Sequence, residues 1–203
     1  MLFRSGKRWE PVVLEMLIDE LKNRGHDVVI LDKNRRYVDL EYDFLRAEID
    51  CELLVDDEEL NVECKTVSPF SIKHWGEDGS DEVPIYYVAQ VMHGLMIKPR
   101  RRAIVAALTG FDDKPRIHWV ERDDELISTI RARELEFWGR VQKRLAPDAV
   151  SAEDVAMLFK RDNGAAVECT ERVRDLCLRA KDLKGLLKTS EAELETIETQ
   201  IKA

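Results

Sequence analysis

The sequence predicts an α/β fold: a mixed β-sheet with helices packed on it, followed by a separate helical tail. Three observations carry this. Residues 47–55 and 60–66 alternate apolar and polar side chains, the period of a strand. Residues 12–21 and 85–95 repeat their apolar side chains at helical spacing. Residues 173–201 repeat theirs at alternating steps of three and four, the period of a coiled-coil seam.

The first helix is expected over Trp9–Leu21, on the stripe Val12, Val13, Met16, Leu17 and Leu21, with Pro11 tolerable only in its first turn. Gly25 suits the position just past its end. Asp27–Leu31 reads as a strand, Lys33–Arg36 as a turn and Tyr37–Leu40 as the returning strand. Next comes the hairpin. Ala47, Ile49, Cys51, Leu53 and Val55 are expected on one face, with Glu48, Asp50, Glu52 and Leu54 opposite. A two-residue turn at Asp56-Asp57 pairs Ile49 with Cys64, Cys51 with Val62 and Leu53 with Leu60, and sets Asp50 across from Glu63. A four-residue turn sets Asp50 across from Lys65 instead.

Ser68–Val83 is a polar loop long enough to be a working one. A helix over Pro84–Met96 follows, with Ile85, Val88, Met92 and Leu95 as its stripe. The basic turn Lys98–Arg102 leads into a buried strand, Ala103–Leu108, and Arg116–Val120 is the next strand. Asp123 caps a long helix to about Leu145, ended by Pro147. Beyond a short helix at Ser151–Lys160, the seam runs Val173, Leu176, Ala180, Leu183, Leu187, Ser190, Leu194, Ile197, Ile201. Two readings stand for it: a helix folded back on its own chain, or a coiled coil between subunits.

The 203 residues, 44% of them hydrophobic, suit one compact domain with an appendage. No run of 18 or more apolar residues is present, so no membrane span is expected. The four cysteines show no C-x-x-C spacing, which gives neither a zinc site nor a disulfide framework, and a cytoplasmic setting is the default. A net charge of −9 speaks against a passive DNA-coating protein.

The chemistry concentrates on the hairpin. Two carboxylates and one ammonium (Asp50, Glu63, Lys65) converge on its polar face in either register. Like charges directly opposite on a sheet repel, so the cluster needs a cation: Lys65 itself or a divalent metal. Oxygen ligands at this spacing select Mg²⁺ or Mn²⁺ over zinc. A lysine two residues on shares that face of the strand, where it can hold an attacking water and offset charge on a phosphorane-like transition state. Acid-x-Lys triplets also occur at Glu20–Lys22, Asp112–Lys114 and Asp182–Lys184, but two of these lie on helices and one in a turn. Spacing alone leaves a charged solvent face as the other reading.

Four ordered stretches then carry a resemblance: Gly6–Pro11 around Glu10, Phe44–Asp50, Val62–Thr66, and Pro84–Gly94 with Tyr86 and Gln90. Together they resemble the PD-(D/E)xK nucleases, and more narrowly the phage-type exonucleases of the lambda exonuclease and YqaJ viral recombinase group, over roughly Ser5 to Ala146. The resemblance implies a restriction-endonuclease-like sheet at 1–146, with 147–203 as a helical extension. It implies that Asp50 and Glu63 hold the metal, joined by Glu10 and the backbone carbonyl of Cys64. Lys65 would position the water, and Gln90 would orient Lys65 and the scissile phosphate. Against these stand plainer roles, Glu10 as a first-turn helix acid and Gln90 as a buried amide.

The implied activity is Mg²⁺-dependent degradation of one strand of linear duplex DNA, 5′ to 3′, in phage or prophage recombination. The implied partners are double-stranded DNA ends, a single-strand annealing recombinase and further copies of the chain. A structure-specific endonuclease and a non-catalytic recombination subunit are the alternatives. The sequence departs from the family in Asp50-Cys51, where Asp-Gly is frequent, and in having only nine residues before Glu10. The family's grip on a 5′-phosphate therefore does not carry over, and Arg4, Ser5, Lys7 and Arg8 are candidate substitutes. Lys73, His74 and Trp75 in the long loop, and Tyr86 on the helix, are further candidate DNA contacts. Trp75 packed onto the domain is an equal reading.

Overall fold

The computed structural model describes residues 2–110, 112–159, 161, 164, 166 and 168–202, without the side chains of residues 2–5. The chain divides into two compact units, Met1–Ala146 and Pro147–Ala203. In the first, helix α1 (Leu2–Asn23) precedes strands β1 (Val28–Val38), β2 (Arg46–Val55) and β3 (Glu58–Val67). Helix α2 (Ile85–Ile97), strands β4 (Arg102–Thr109) and β5 (Arg116–Glu121) and helix α3 (Asp124–Gln142) complete it. The sheet order is β1-β2-β3-β4-β5; β3 and β4 run parallel and the other neighbours antiparallel.

Each face of the sheet carries its own core. On one, Val13, Leu17 and Leu21 of α1 pack against Leu53, Leu60 and Ile104. On the other, Met92 and Leu95 of α2 and Ile127 of α3 pack against Ile49, Val105 and Val120. β4 serves both: Ala103, Val105 and Ala107 belong to the second core, Ile104, Ala106 and Leu108 to the first. A strand covered on both sides reads as a continuous apolar run, as this one does.

α1 begins seven residues before the expected start and contains Pro11 in its interior. Proline there removes one helix hydrogen bond, at a site where the ring is solvent-exposed. The helix ends as expected. Gly25 takes φ 91°, its N–H donates to the Lys22 carbonyl and the next N–H, of His26, donates to Leu21, the paired bonds of a left-handed stop.

Lys33–Arg36 is not a turn: β1 is one strand from Val28 to Val38. Its register against β2 shifts between Ile30 and Asp32, and Asn34 has φ 51°. Most of the strand is exposed, so no buried stripe revealed it. The β2–β3 hairpin has the two-residue register, Cys51 opposite Val62 and Leu53 opposite Leu60. Asp56 and Asp57 both take positive φ, 49° and 68°, the conformation that two-residue hairpins require.

The expected alternation along β2 breaks at Asp50. Ala47 and Ile49 lie in the α2 core, whereas Cys51, Leu53 and Val55 lie in the α1 core. The reason is a splay. β2 pairs with β3 only from Cys51 to Val55, but remains paired with β1 down to Arg46. Ahead of Cys51 the strand parts from β3 and Ile49 passes beneath α2, where a Cβ on Gly94 would stand 3.3 Å from its Cδ1. A cavity of about 270 Å³ fills the wedge, with Glu63 and Gln90 on its lining. Ile85 also departs from its expected place: it is exposed, and α2 buries Val91, Met92, Leu95 and Met96.

In the second unit, α4 (Ala152–Leu158) starts with a capping box of Ser151 and Asp154, and α5 spans Glu171–Lys202. Lys160, the expected end of α4, lies outside the described residues. Among the described residues, no helix is long and apolar enough to cross a membrane.

Candidate active site

The splay between β2 and β3 opens one mouth of a cleft of about 520 Å³, lined by residues of α1, β2, β3 and α2. Glu10 comes from α1, Asp50 from β2, Glu63, Cys64 and Lys65 from β3, and Gln90 from α2. Lys7, one helical turn before Glu10, also lines it.

Asp50 Oδ2 accepts the backbone N–H of Cys64 at 2.9 Å, bridging the strands just where their own ladder has stopped. Glu63 Oε1 accepts from both Lys65 Nζ and Gln90 Nε2. Lys65 Nζ stands 5.2 Å from the centre of the Tyr87 ring, near enough for attraction to its face. Glu63 and Lys65 are nearly buried, their side chains 13% and 17% exposed.

The electrostatics follow from that burial. Glu63 is pushed up to about 7, first by desolvation and then by the charge of Asp50, which Lys65 only partly offsets. Burial raises Asp50 as well, against the opposing Cys64 N–H bond. Glu10 is raised by burial and next by Asp50. Asp50 raises both Glu63 and Glu10, and Glu10 adds to the rise of Glu63, a crowding of negative charge that a divalent cation would relieve.

The donor set suits a hard cation. The carboxylates of Asp50, Glu63 and Glu10 and the carbonyl of Cys64 offer oxygen alone, while burial and Asp50 raise the Cys64 thiol far above its ordinary value, so that no thiolate competes. Among the described residues, no three His, Cys, Asp or Glu side chains form a ready-made cage. Glu63 instead rests on Lys65 and Gln90, and it would turn from them to meet a cation.

Other expected contacts fall elsewhere. Trp75 is buried at 7% exposure, against Tyr87 and His118, so it is a core residue and not a DNA contact. The loop that carries it folds along β5, with Gly79 N–H donating to Ile117 and Trp119 N–H to Ser80, which draws the indole inward. Lys73 and His74 are exposed on a short 3-10 turn outside the cleft lining, as is Arg8 on α1. Tyr86 is exposed at 62% and its ring lies tilted against that of Tyr87, 4.4 Å between ring centres. The side chains of Arg4 and Ser5 lie outside the described residues. In the basic turn, Lys98 and Arg100 pair with buried Glu52, and Arg102 with Glu58. These cations are engaged by the protein's own acids. Tyr87 was missed in the sequence, although it stands three residues before Gln90, the helical spacing that puts both on one face.

Residues 3–112 match the YqaJ-like viral recombinase domain. The chain belongs to that family. It is 32% identical over 173 residues to the uncharacterized protein YqaJ of Bacillus subtilis (strain 168). That match covers 80% of this chain and 51% of the relative, so the chain spans about half the length of the curated relative it matches. Among solved structures, an alkaline exonuclease (LHK-Exo) from Laribacter hongkongensis shares the fold, with TM-score 0.50 and 20% identity over 71% of this chain and 75% of that one. The fold is therefore the mixed sheet with flanking helices of an alkaline exonuclease, with all six family-implied site positions on one cleft.

Proposed function

We propose that the chain is a Mg²⁺- or Mn²⁺-dependent deoxyribonuclease that degrades one strand of linear double-stranded DNA, 5′ to 3′, in phage or prophage recombination in a bacterial cytoplasm. One observation carries the reading: in a YqaJ-family fold, three carboxylates, all raised above their ordinary values, meet Lys65 in a single cleft.

Asp50, Glu63, Glu10 and the Cys64 carbonyl hold the metal. When bound, it neutralises phosphodiester charge and lowers the barrier to ionising water. Lys65, hydrogen-bonded to Glu63, holds the attacking water and offsets the charge that grows on the phosphoryl oxygens. Gln90 donates to the same Glu63 oxygen as Lys65 and so orients that carboxylate beside the ammonium. Tyr87 shields one side of Lys65 from water. Lys7, exposed beside Glu48 at the cleft rim, meets a phosphate of the incoming strand.

The test is digestion of 5′-phosphorylated, 5′-hydroxyl and relaxed circular duplexes with Mg²⁺ and with EDTA. Loss of linear DNA from its 5′ ends, only with metal and with circles spared, is the expected result. Cutting of circles would make the enzyme an endonuclease, and digestion in EDTA would remove the metal from the account.

A further inference from the structure

Helix α5 presents hydrocarbon to solvent along its whole length. The large apolar members of its seam, from Val173 to Ile201, are 46–78% exposed, and no residue of the helix is buried. Its charge is divided by position. Residues 172–188 hold six basic and two acidic side chains, and residues 189–202 hold four acidic and one basic.

That division decides how two such helices fit. Taking Val173 as the first core position, Arg172, Arg179, Leu186 and Glu193 flank the seam on one side, and Cys177, Lys184, Glu191 and Glu198 on the other. In a parallel pair the flanking positions meet across the interface five residues apart, setting Arg179 against Lys184 and Glu193 against Glu198. Both contacts repel. Reversing one helix lays the basic half along the acidic half.

We propose that α5 pairs with α5 of a second copy of this chain as an antiparallel two-stranded coiled coil. Val173 packs against Ile197, Leu176 against Leu194, Ala180 against Ser190 and Leu183 against Leu187, each layer occurring twice. Arg179 faces Glu193 at two symmetric places. Leu186, apolar at a flanking position where charge is usual, meets its own copy at the two-fold axis, an isologous contact. Ser190, the polar member of the seam, faces its smallest member. One contact opposes the arrangement: Lys184 also meets its own copy near the axis, where two exposed, flexible side chains can part.

The mass of the full 203-residue chain by sedimentation equilibrium tests the pairing. A dimer is expected, and Leu187→Asp should make it monomeric while the nuclease unit keeps its melting transition. Arg179→Glu tests the orientation, because it turns two attractions into repulsions in the antiparallel pair and should weaken the dimer about tenfold. Mixing Arg179→Glu with Glu193→Arg restores opposite charges at both places and should restore the affinity. A monomeric wild type at 100 µM, a dimer that survives Leu187→Asp, or a dimer tightened by Arg179→Glu would each overturn the proposal.

Discussion

Two carboxylate sites in the first unit, built from the same chemistry, are driven in opposite directions. At the corner beyond β1, Asp39 accepts two hydrogen bonds from Arg131 of α3, at 2.8 and 2.9 Å, and two more from the backbone N–H groups of Glu41 and Tyr42. The guanidinium holds this carboxyl far below its ordinary value. In the cleft, Asp50, Glu63 and Glu10 are all raised, with Lys65 and Lys7 offsetting their burial only in part. Asp39 is a structural acid whose partners are complete. The cleft acids cost the fold stability when ionised, and a group retained at such a cost is a candidate for chemistry. The contrast separates the acids that hold the fold from the acids proposed to work.

The largest expected break concerns activity. Glu63→Ala or Lys65→Ala should lower the nuclease rate by about 10³-fold or more, measured on 5′-phosphorylated linear duplex. The same changes in the Asp39 corner, scaled for any loss of folded protein, should leave the specific rate within about twofold of wild type.

A smaller break concerns stability. Asp39→Asn removes two charge-assisted bonds and should cost about 2 kcal/mol at pH 7 by urea unfolding. The folded pKa lies below the unfolded one, so this contribution is complete above about pH 4 and is lost as pH falls through the folded value. Wild type and variant should therefore converge towards pH 2.

The opposite sign is expected in the cleft. Asp50 has a raised folded pKa, so its ionisation takes stability away as pH climbs from the unfolded value through the folded one. Asp50→Asn keeps an oxygen for the Cys64 N–H and removes the charge. In EDTA at pH 8 it should melt about 3 °C above wild type, and the gain should vanish below about pH 3, where the carboxyl is protonated in both states.

Much of this was legible in the residues. The hairpin register followed from apolar pairing across Asp56-Asp57, and the buried run at Ala103–Leu108 named the central strand. Asp123 was readable as a cap, and its side chain accepts from the N–H groups of Glu125 and Leu126. The residues that share the cleft were legible as an ordered set of motifs, because acid-x-Lys has a distinct meaning on a strand.

The misses share a cause. Period-2 patterning along β2 runs unbroken through Asp50, so no local signal marks the splay that carries Ile49 under α2; only the packing of two helices on opposite faces decides it. β1 is a largely exposed edge strand, and its polar middle looks like a turn because neither face has a core to fill. Trp75 sits in a loop whose length suggested work at the surface, yet its ring is drawn in by Tyr87 and His118, neighbours distant in sequence.

Glu10, Asp50 and Glu63 are proposed to converge on a divalent cation. Mn²⁺ binding to the full chain, read by the loss of the free-ion electron paramagnetic resonance signal, tests it without recourse to catalysis. Saturable binding by wild type is expected, weakened at least about tenfold in Asp50→Asn and Glu63→Gln and unchanged in Asp39→Asn. Equal Mn²⁺ affinity in wild type and both cleft variants would contradict it.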